Sequence, residues 1–221
     1  MQSGAGTVKG AGFANSEIYQ SVMDEKSISY YKPLDMKEGL PPLPEPWQSK
    51  IKTVDTTKLP FHVGQERAYL VTFQQGQLKT LHHQIQLTYL KDKDEYGRYG
   101  NEFFIIRMTE VAQDPFANLT GVKDIDLFGN KLEQGYILEG VPYYHHIIQT
   151  NSAYTYQYYG YDEEKQRVNM TVTNANEINF YIDGIHYQIA YQVDGNRVNR
   201  KVEEQMVALA KAFVHGQNNF S

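Results

Sequence analysis

Residues 178–193 read INFYIDGIHYQIAYQV, and this stretch decides the fold class of the chain. Apolar and polar residues alternate on both sides of Asp183 and Gly184. An Asp-Gly loop of two residues favours a type I′ turn, because both positions need a positive φ and the turn matches the twist of antiparallel strands. The stretch therefore predicts a β-hairpin with strands at 178–182 and 185–193.

The same alternation with a period of two residues recurs upstream. In the run His83–Tyr89, for example, Ile85 and Leu87 share one face of a predicted strand. Residues 112–130 carry turn signals and few paired apolar residues, so they are predicted to cross the sheet as a loop. The other predicted strands are Ala68–Phe73, Glu102–Met108, 132–139, 142–149, 153–160 and 167–173.

The last element changes period. In residues 199–216, NRKVEEQMVALAKAFVHG, apolar side chains recur at helical spacing, and Gly216 is predicted to end the helix as a C-terminal cap. These apolar residues are Val202, Met206, Leu209, Ala210 and Phe213. We therefore expect an α+β fold, in which a curved, mainly antiparallel sheet of about eight strands is packed by a C-terminal amphipathic helix.

The first 50 residues differ from the rest of the chain. They are predicted to form a flexible, glycine-rich leader, a short helix at 15–23 and a proline-rich strap at 32–47 that is anchored by Trp47. The strap is either a connector or a polyproline ligand for a groove on a partner. Residues 51–216 are predicted to form a single α+β domain.

Composition narrows the possible partners. A net charge of −5 argues against nucleic acid, since phosphate binding needs a basic face. Cysteine is absent, which excludes disulfides, thiolate catalysis and cysteine-based zinc sites. No run of apolar residues is long enough to cross a bilayer. We therefore expect contact with a membrane only through an anchor that this chain lacks. The polar leader is typical either of a tether or of an ordinary disordered N-terminus.

Histidine pairs occur twice, at His82–His83 and at His145–His146. Adjacent residues of a strand point to opposite faces, so neither pair can bind one ion. No HExxH or comparable spacing occurs. The sequence therefore predicts no metal and no cofactor.

Signals of catalysis are equally weak. The chain has no G-x-S-x-G motif, and its few serines lie mostly in the leader and the loops. A carboxylate pair for glycosidase chemistry can be drawn from Asp124, Asp126, Glu133 or Glu139, but any β-rich protein offers as many. The chain is therefore predicted not to be an enzyme.

Residues 143–162, YYHHIIQTNSAYTYQYYGYD, are unusually rich in tyrosine. On a strand, Tyr154, Tyr156 and Tyr158 share one face. One interpretation is architectural, because cross-strand aromatic pairs stabilise sheets. The other is a platform that binds an elongated glycan, peptide or lipid chain. The candidate ligand-binding residues are Tyr143, Tyr154, Tyr156, Tyr158 and Trp47.

The hairpin Asn179–Ile189, followed by the helix Val202–Phe213, resembles a Gram-positive domain family of unknown function. Leu59-Pro60 and the strand Gln84–Tyr89 are similar to the opening pattern of that family. The resemblance covers residues 55–215. It implies the extracytoplasmic part of membrane-anchored or lipoprotein-like proteins, some fused to anti-sigma-factor regions, and a fold distantly like lipoprotein carriers and envelope-stress sensors.

Together, these observations predict a non-catalytic sensor or binding domain outside a Gram-positive membrane, with an envelope ligand or a protein as its partner. One alternative is a carrier, whose sheet and helix enclose a lipid or another hydrophobic ligand. Another is an envelope hydrolase that uses His83 or His145. A sheet face filled by its own side chains would argue against the carrier.

Overall fold

The structure is a computed structural model. It describes residues 6–7, 19–20, 28–38, 47, 50–75, 80–92, 101–119, 124–126, 129–149, 152, 154–193 and 199–218. Four short strands are β1 (Gly6–Thr7), β2 (Tyr19–Gln20), β3 (Ile28–Tyr30) and β4 (Leu34–Asp35). Nine longer strands are β5 (Val63–Gln75), β6 (Thr80–Lys91), β7 (Phe103–Glu110), β8 (Lys131–Leu138), β9 (Val141–Ile147), β10 (Tyr156–Asp162), β11 (Arg167–Thr173), β12 (Asn176–Ile182) and β13 (Ile185–Gln192). The C-terminal helix is Arg200–Asn218, so Gly216 lies within the helix and does not cap it as predicted.

The strands form two antiparallel sheets. The large sheet has ten strands in the order β2-β3-β5-β6-β7-β13-β12-β9-β8, with β4 also paired to β5. It is not closed into a barrel, and β2 and β8 are the two ends of the described strand order. The small sheet has the order β1-β11-β10. The predicted α+β class, with a mainly antiparallel sheet and a C-terminal helix, is confirmed.

The predicted turn in the hairpin β12–β13 is also confirmed. Asp183 has a φ of 47° and Gly184 has a φ of 81°, which are the positive values that a type I′ turn needs. Ile182 pairs directly with Ile185, so the loop has two residues. This hairpin lies in the middle of the large sheet, between β7 and β9.

Three features differ from the expectation of a leader followed by one sheet. Residues 153–160 were predicted as a strand of that sheet, but β10 and β11 form a separate hairpin. Tyr19–Gln20 form a strand rather than part of a helix, and the rest of 15–23 lies outside the described residues. Within the predicted strap region, β4 pairs with β5, as does β3 just before it, whereas residues 39–46 lie outside the described residues.

One face of the large sheet packs against the C-terminal helix. Ile85, Leu87, Phe104 and Ile106 are fully buried on this face, so the space between sheet and helix is filled by side chains. Each large apolar side chain that is buried in this way contributes roughly 1.5–3 kcal/mol. The same core includes Met36, Trp47, Ile51, Val54, Leu59, Phe61, Met206, Leu209, Ala210 and Phe213.

The opposite face of the large sheet is covered by the hairpin β10–β11, which we call the tyrosine hairpin. Two smaller apolar clusters join them: one contains Tyr69 and Tyr159, and the other contains Ile105 and Tyr156. The molecule therefore has three layers, with the large sheet in the middle. No helix among the described residues is long and apolar enough to cross a membrane.

Candidate functional site

A row of polar side chains crosses the large sheet beneath the tyrosine hairpin. Gln86, Arg107, Gln188 and Asn179 lie directly opposite one another on β6, β7, β13 and β12. We call these four residues the polar row. They share one face because their strands are in register, and the residues next to them, such as Ile106, fill the helix-side core.

Arg107 is the centre of the polar row. Its Nη2 donates to Gln86 Oε1 at 3.1 Å and its Nη1 donates to Gln188 Oε1 at 3.4 Å. Nη2 also donates to the backbone carbonyl of Gln157 in the tyrosine hairpin. The guanidinium carbon lies 5.3 Å from the ring centres of both Tyr156 and Tyr159, within the range of a cation–π contact.

The tyrosine hairpin rests on this row through the edge of β10. The side-chain amide of Gln86 bonds both backbone groups of Tyr159, at 3.0 Å each. The hydroxyl of Tyr159 donates to Gln84 Oε1 at 2.6 Å. The edge of β10, rather than one of its faces, points toward the large sheet. Tyrosines from both faces of β10 therefore pack against the large sheet. Tyr158 lies against Phe103, at 5.5 Å between ring centres.

Burial also shifts the titration of these tyrosines. It raises the pKa of Tyr156, Tyr158 and Tyr159, because a phenolate loses its hydration inside the protein. The positive charge of Arg107 opposes the shift at Tyr156 and Tyr159. These side chains therefore act as neutral hydrogen-bond donors at physiological pH.

Two donors at this junction have no partner among the described residues. They are Arg107 Nε and the hydroxyl of Tyr156, and both are buried. No carboxylate of the described residues forms an ion pair with Arg107, whose partners are neutral oxygens. These donors can therefore bind the oxygen atoms of a further group, and the positive charge of Arg107 favours a group that is negatively charged.

A buried carboxyl lies at the far end of the polar row. Glu177 is 1% exposed and accepts a hydrogen bond from Gln188 Nε2 at 2.5 Å. Tyr154 and Asn179 are further hydrogen-bond partners of this carboxyl. Burial raises the pKa of Glu177, because the ionised form loses its hydration, although these bonds oppose the shift. Gln188 thus separates the carboxyl from the guanidinium of Arg107.

His146 lies directly opposite Glu177 in the register of β9 and β12. Its Nε2 lies 2.7 Å from Asp126 Oδ2, and its ring meets that of Tyr154 edge-on, with centres 4.4 Å apart. Asp126 also accepts two hydrogen bonds from Asn130, at 2.8 and 2.9 Å. The loop 124–126 thus fixes the orientation of the imidazole.

His145 points to the other face of the sheet, as predicted for adjacent residues of a strand. It is fully buried, and its Nε2 lies 2.9 Å from the hydroxyl of Tyr191. Burial lowers the pKa of His145 to about 4. In the second pair, His83 Nδ1 lies 2.9 Å from Glu110 Oε2, whereas His82 stacks on Phe73.

A carboxylate beside a histidine orients the ring, but a metal site needs more ligands. The described residues hold no group of three or more His, Cys, Asp or Glu side chains that could bind a metal ion.

The structure does not bring the five predicted ligand-binding residues together. Trp47 is 1% exposed in the helix-side core. Tyr143 packs against the same core, and a Cβ at position 135 would meet its ring at 2.8 Å, so any residue larger than glycine there would displace the ring. Tyr154, Tyr156 and Tyr158 lie on the other side of the sheet, where Tyr156 is buried and the other two are half-buried.

Sequence reasoning missed Gln86, Arg107, Gln188 and Glu177. The signal lies in the alternating run His83–Tyr89, whose polar positions share the face opposite to Ile85 and Leu87, but alternation alone does not show that a second layer covers this face. In the structure, Gln86 is fully buried because a second layer covers it.

Comparison with known proteins gives no relative on which to base a function. No family model, no curated protein and no solved structure matches this chain. The resemblance to a Gram-positive extracytoplasmic domain family therefore stays a prediction.

Proposed function

We propose that this protein is a non-catalytic binding domain that works outside the membrane of a Gram-positive cell. Its ligand binds where the tyrosine hairpin meets the polar row, and it carries a carboxylate or a similar small anionic group. The observation that supports this most directly is the unpaired charge of Arg107, whose hydrogen bonds within the described residues go to neutral oxygens.

A guanidinium that is half out of water normally has a counter-charge, because desolvation of an unpaired ion is costly. Arg107 is half-buried, and its nearest polar neighbours supply only amide and carbonyl oxygens. A carboxylate from a ligand would supply the missing charge. The hydroxyl of Tyr156 and Arg107 Nε, the two donors without a partner, are buried, so the carboxylate would accept from them only after the tyrosine hairpin has moved aside.

The surroundings favour a small ligand over a polyanion. The rings of Tyr156 and Tyr159 flank the guanidinium, and His186 lies on the same face of β13 as Gln188. Burial and the nearby Arg107 both lower the pKa of His186, which favours the neutral imidazole. With a net charge of −5, the protein as a whole repels polyanions, so binding depends on the few donors of this site.

The carrier alternative finds less support. Ile85, Leu87, Phe104 and Ile106, the residues expected to line a cavity, are fully buried against the core of the helix. Native mass spectrometry of the purified protein separates the two functions. The proposal expects no lipid mass, whereas a retained lipid would favour the carrier.

The substitution Tyr156→Phe tests the binding site, because it removes one donor and leaves the ring in place. We expect millimolar malonate to raise the melting temperature of the wild type and to raise that of Tyr156→Phe much less. Tyr158→Phe is the matched control, since the Tyr158 hydroxyl bonds Thr171. An equal response of wild type and Tyr156→Phe, or no response of either, would contradict the site.

The location is tested separately. Intact Gram-positive cells that express the full-length gene are treated with a protease, and the domain is followed by immunoblotting. Cleavage of the domain on intact cells is the expected result. Protection until the cells are lysed would exclude an extracytoplasmic function.

A further inference from the structure

A groove lies at the β8 edge of the large sheet and shares no residue with the polar row. It has a volume of about 570 Å³ and lies between the end of β8 and the C-terminal half of the helix. Its lining residues include Tyr136, Leu138 and Glu139 on the strand side and Lys211 and His215 on the helix side. We call it the edge groove.

Tyr136 makes the edge groove unusual. Its side chain is 65% exposed, more than any other large apolar residue among those described, whereas the next residue, Ile137, is 1% exposed. The pairing of β8 with β9 is irregular between Tyr136 and Leu138, so the edge strand bends at this point. An exposed aromatic ring beside a groove is typical of an interaction surface.

The two sides of the edge groove carry opposite charges. Glu139 is exposed on the strand side, and Lys211 and His215 lie on the helix side. None of the three forms an ion pair within the described chain. A two-fold rotation places the helix side of one copy against the strand side of another, so such a groove is complementary to itself.

The first half of β8 is not open to a second strand. Leu132 already donates its backbone N–H to the carbonyl of Asp124 at 2.8 Å, and Ile125 bridges to Lys131. A partner at this edge therefore has to use side chains near Tyr136, rather than extend the sheet along the whole strand.

We propose that two copies of this chain form a symmetric dimer through their edge grooves. Tyr136 of each protomer lies in the groove of its partner, and Glu139 of each faces Lys211 of its partner. The contact excludes water from two tyrosine rings and pairs two sets of opposite charges. The inference goes beyond the binding function proposed above and uses different residues.

Charge reversal tests the dimer without touching the core, because Glu139 and Lys211 are not buried. The wild type, Glu139→Lys and Lys211→Glu are each compared by sedimentation velocity over a range of protein concentrations. We expect each single variant to dimerise about tenfold more weakly than the wild type, since two symmetric attractions become repulsions. Circular dichroism checks that all three proteins are folded.

Mixing the variants gives the decisive result. In a heterodimer of Glu139→Lys and Lys211→Glu, each reversed residue faces an opposite charge, so an equimolar mixture should dimerise again. The double variant should also associate with itself. A wild type that stays monomeric at the highest concentration would overturn the proposal, and so would single variants that dimerise as tightly as the wild type.

Discussion

The side-chain amide of Gln86 makes the two hydrogen bonds with the backbone of Tyr159 that a neighbouring strand would make. Nε2 donates to the carbonyl of Tyr159 and Oε1 accepts from its N–H, both at 3.0 Å. A side chain of one sheet thus completes the edge of a strand in another. This contact sets the tyrosine hairpin on its edge, and it explains why tyrosines on both faces of β10 pack inward.

We expect Gln86→Leu to destabilise the protein by about 2–5 kcal/mol. Leucine has a similar size but leaves two buried backbone groups of Tyr159 unpaired, each at a cost of about 1–3 kcal/mol. Gln157→Leu on the exposed side of β10 is the control, with an expected change within about 0.5 kcal/mol. Urea unfolding measures both. An equal, small effect of the two substitutions would mean that the Gln86 bonds contribute nothing.

The contrast between β10 and β13 shows which parts of the fold could be predicted from the sequence. The hairpin around Asp183 and the C-terminal helix depend on local signals, namely a turn that needs positive φ and a repeat of apolar residues. The position of β10 depends on Gln86, which is 73 residues away in the chain. Alternation in β10 indicates a strand but does not say which sheet it joins.

The candidate site was harder to predict for the same reason. Arg107, Gln188 and Glu177 come from three strands, and only the register of those strands brings them together. In addition, alternating polar residues on a strand suggest a solvated face, whereas here a second layer covers that face. The tyrosine content marks the hairpin that packs on the polar row, but Arg107, the charged partner of these tyrosines, has no motif.

Acid should destabilise the protein through His145. Its pKa is lowered to about 4 by burial, whereas a histidine in the unfolded chain has a pKa of about 6.5. The unfolded state therefore binds a proton first as the pH falls. The contribution of neutral His145 to the stability is fully present above pH ~6.5. It decreases as the pH falls from ~6.5 to ~4, by up to about 3 kcal/mol.

Urea unfolding of the wild type and of His145→Gln at several pH values measures this effect. The variant keeps a polar group near the hydroxyl of Tyr191 but cannot titrate, so its stability should depend less on acid. His215→Gln, at an exposed position, is the matched control. The assignment to His145 fails if the wild type and His145→Gln lose stability in parallel.

Glu177 should make the stability fall as the pH rises, which is the opposite of the effect of His145. Burial raises its pKa, so the folded state holds the carboxyl proton to a higher pH than the unfolded state does. The corresponding stability is present below the ordinary pKa of glutamate and is lost as the pH rises through the folded pKa. The wild type should therefore lose stability relative to Glu177→Gln as the pH rises above the ordinary pKa of glutamate. Glu164→Gln, in an exposed turn, is the matched control.

Leu209→Ala should cost about 2–5 kcal/mol, because Leu209 is 5% exposed in the helix-side core and its loss leaves a cavity. Ala208→Ser on the exposed side of the helix is the control, and its effect should stay within about 0.5 kcal/mol. Thermal unfolding followed by circular dichroism compares the two. A loss below about 0.5 kcal/mol for Leu209→Ala would mean that the helix is not docked in solution.

Trp47 supplies an optical test of the strap, since it is the single tryptophan of the chain and is 1% exposed. Its fluorescence should be blue-shifted and weakly quenched by acrylamide. Because Trp47 shares a core with Ile51 and Phe213, it should become exposed together with the rest of the domain. Fluorescence and circular dichroism should then give coincident unfolding curves, as a two-state transition requires. A fluorescence change that precedes the loss of secondary structure would show that the strap detaches first.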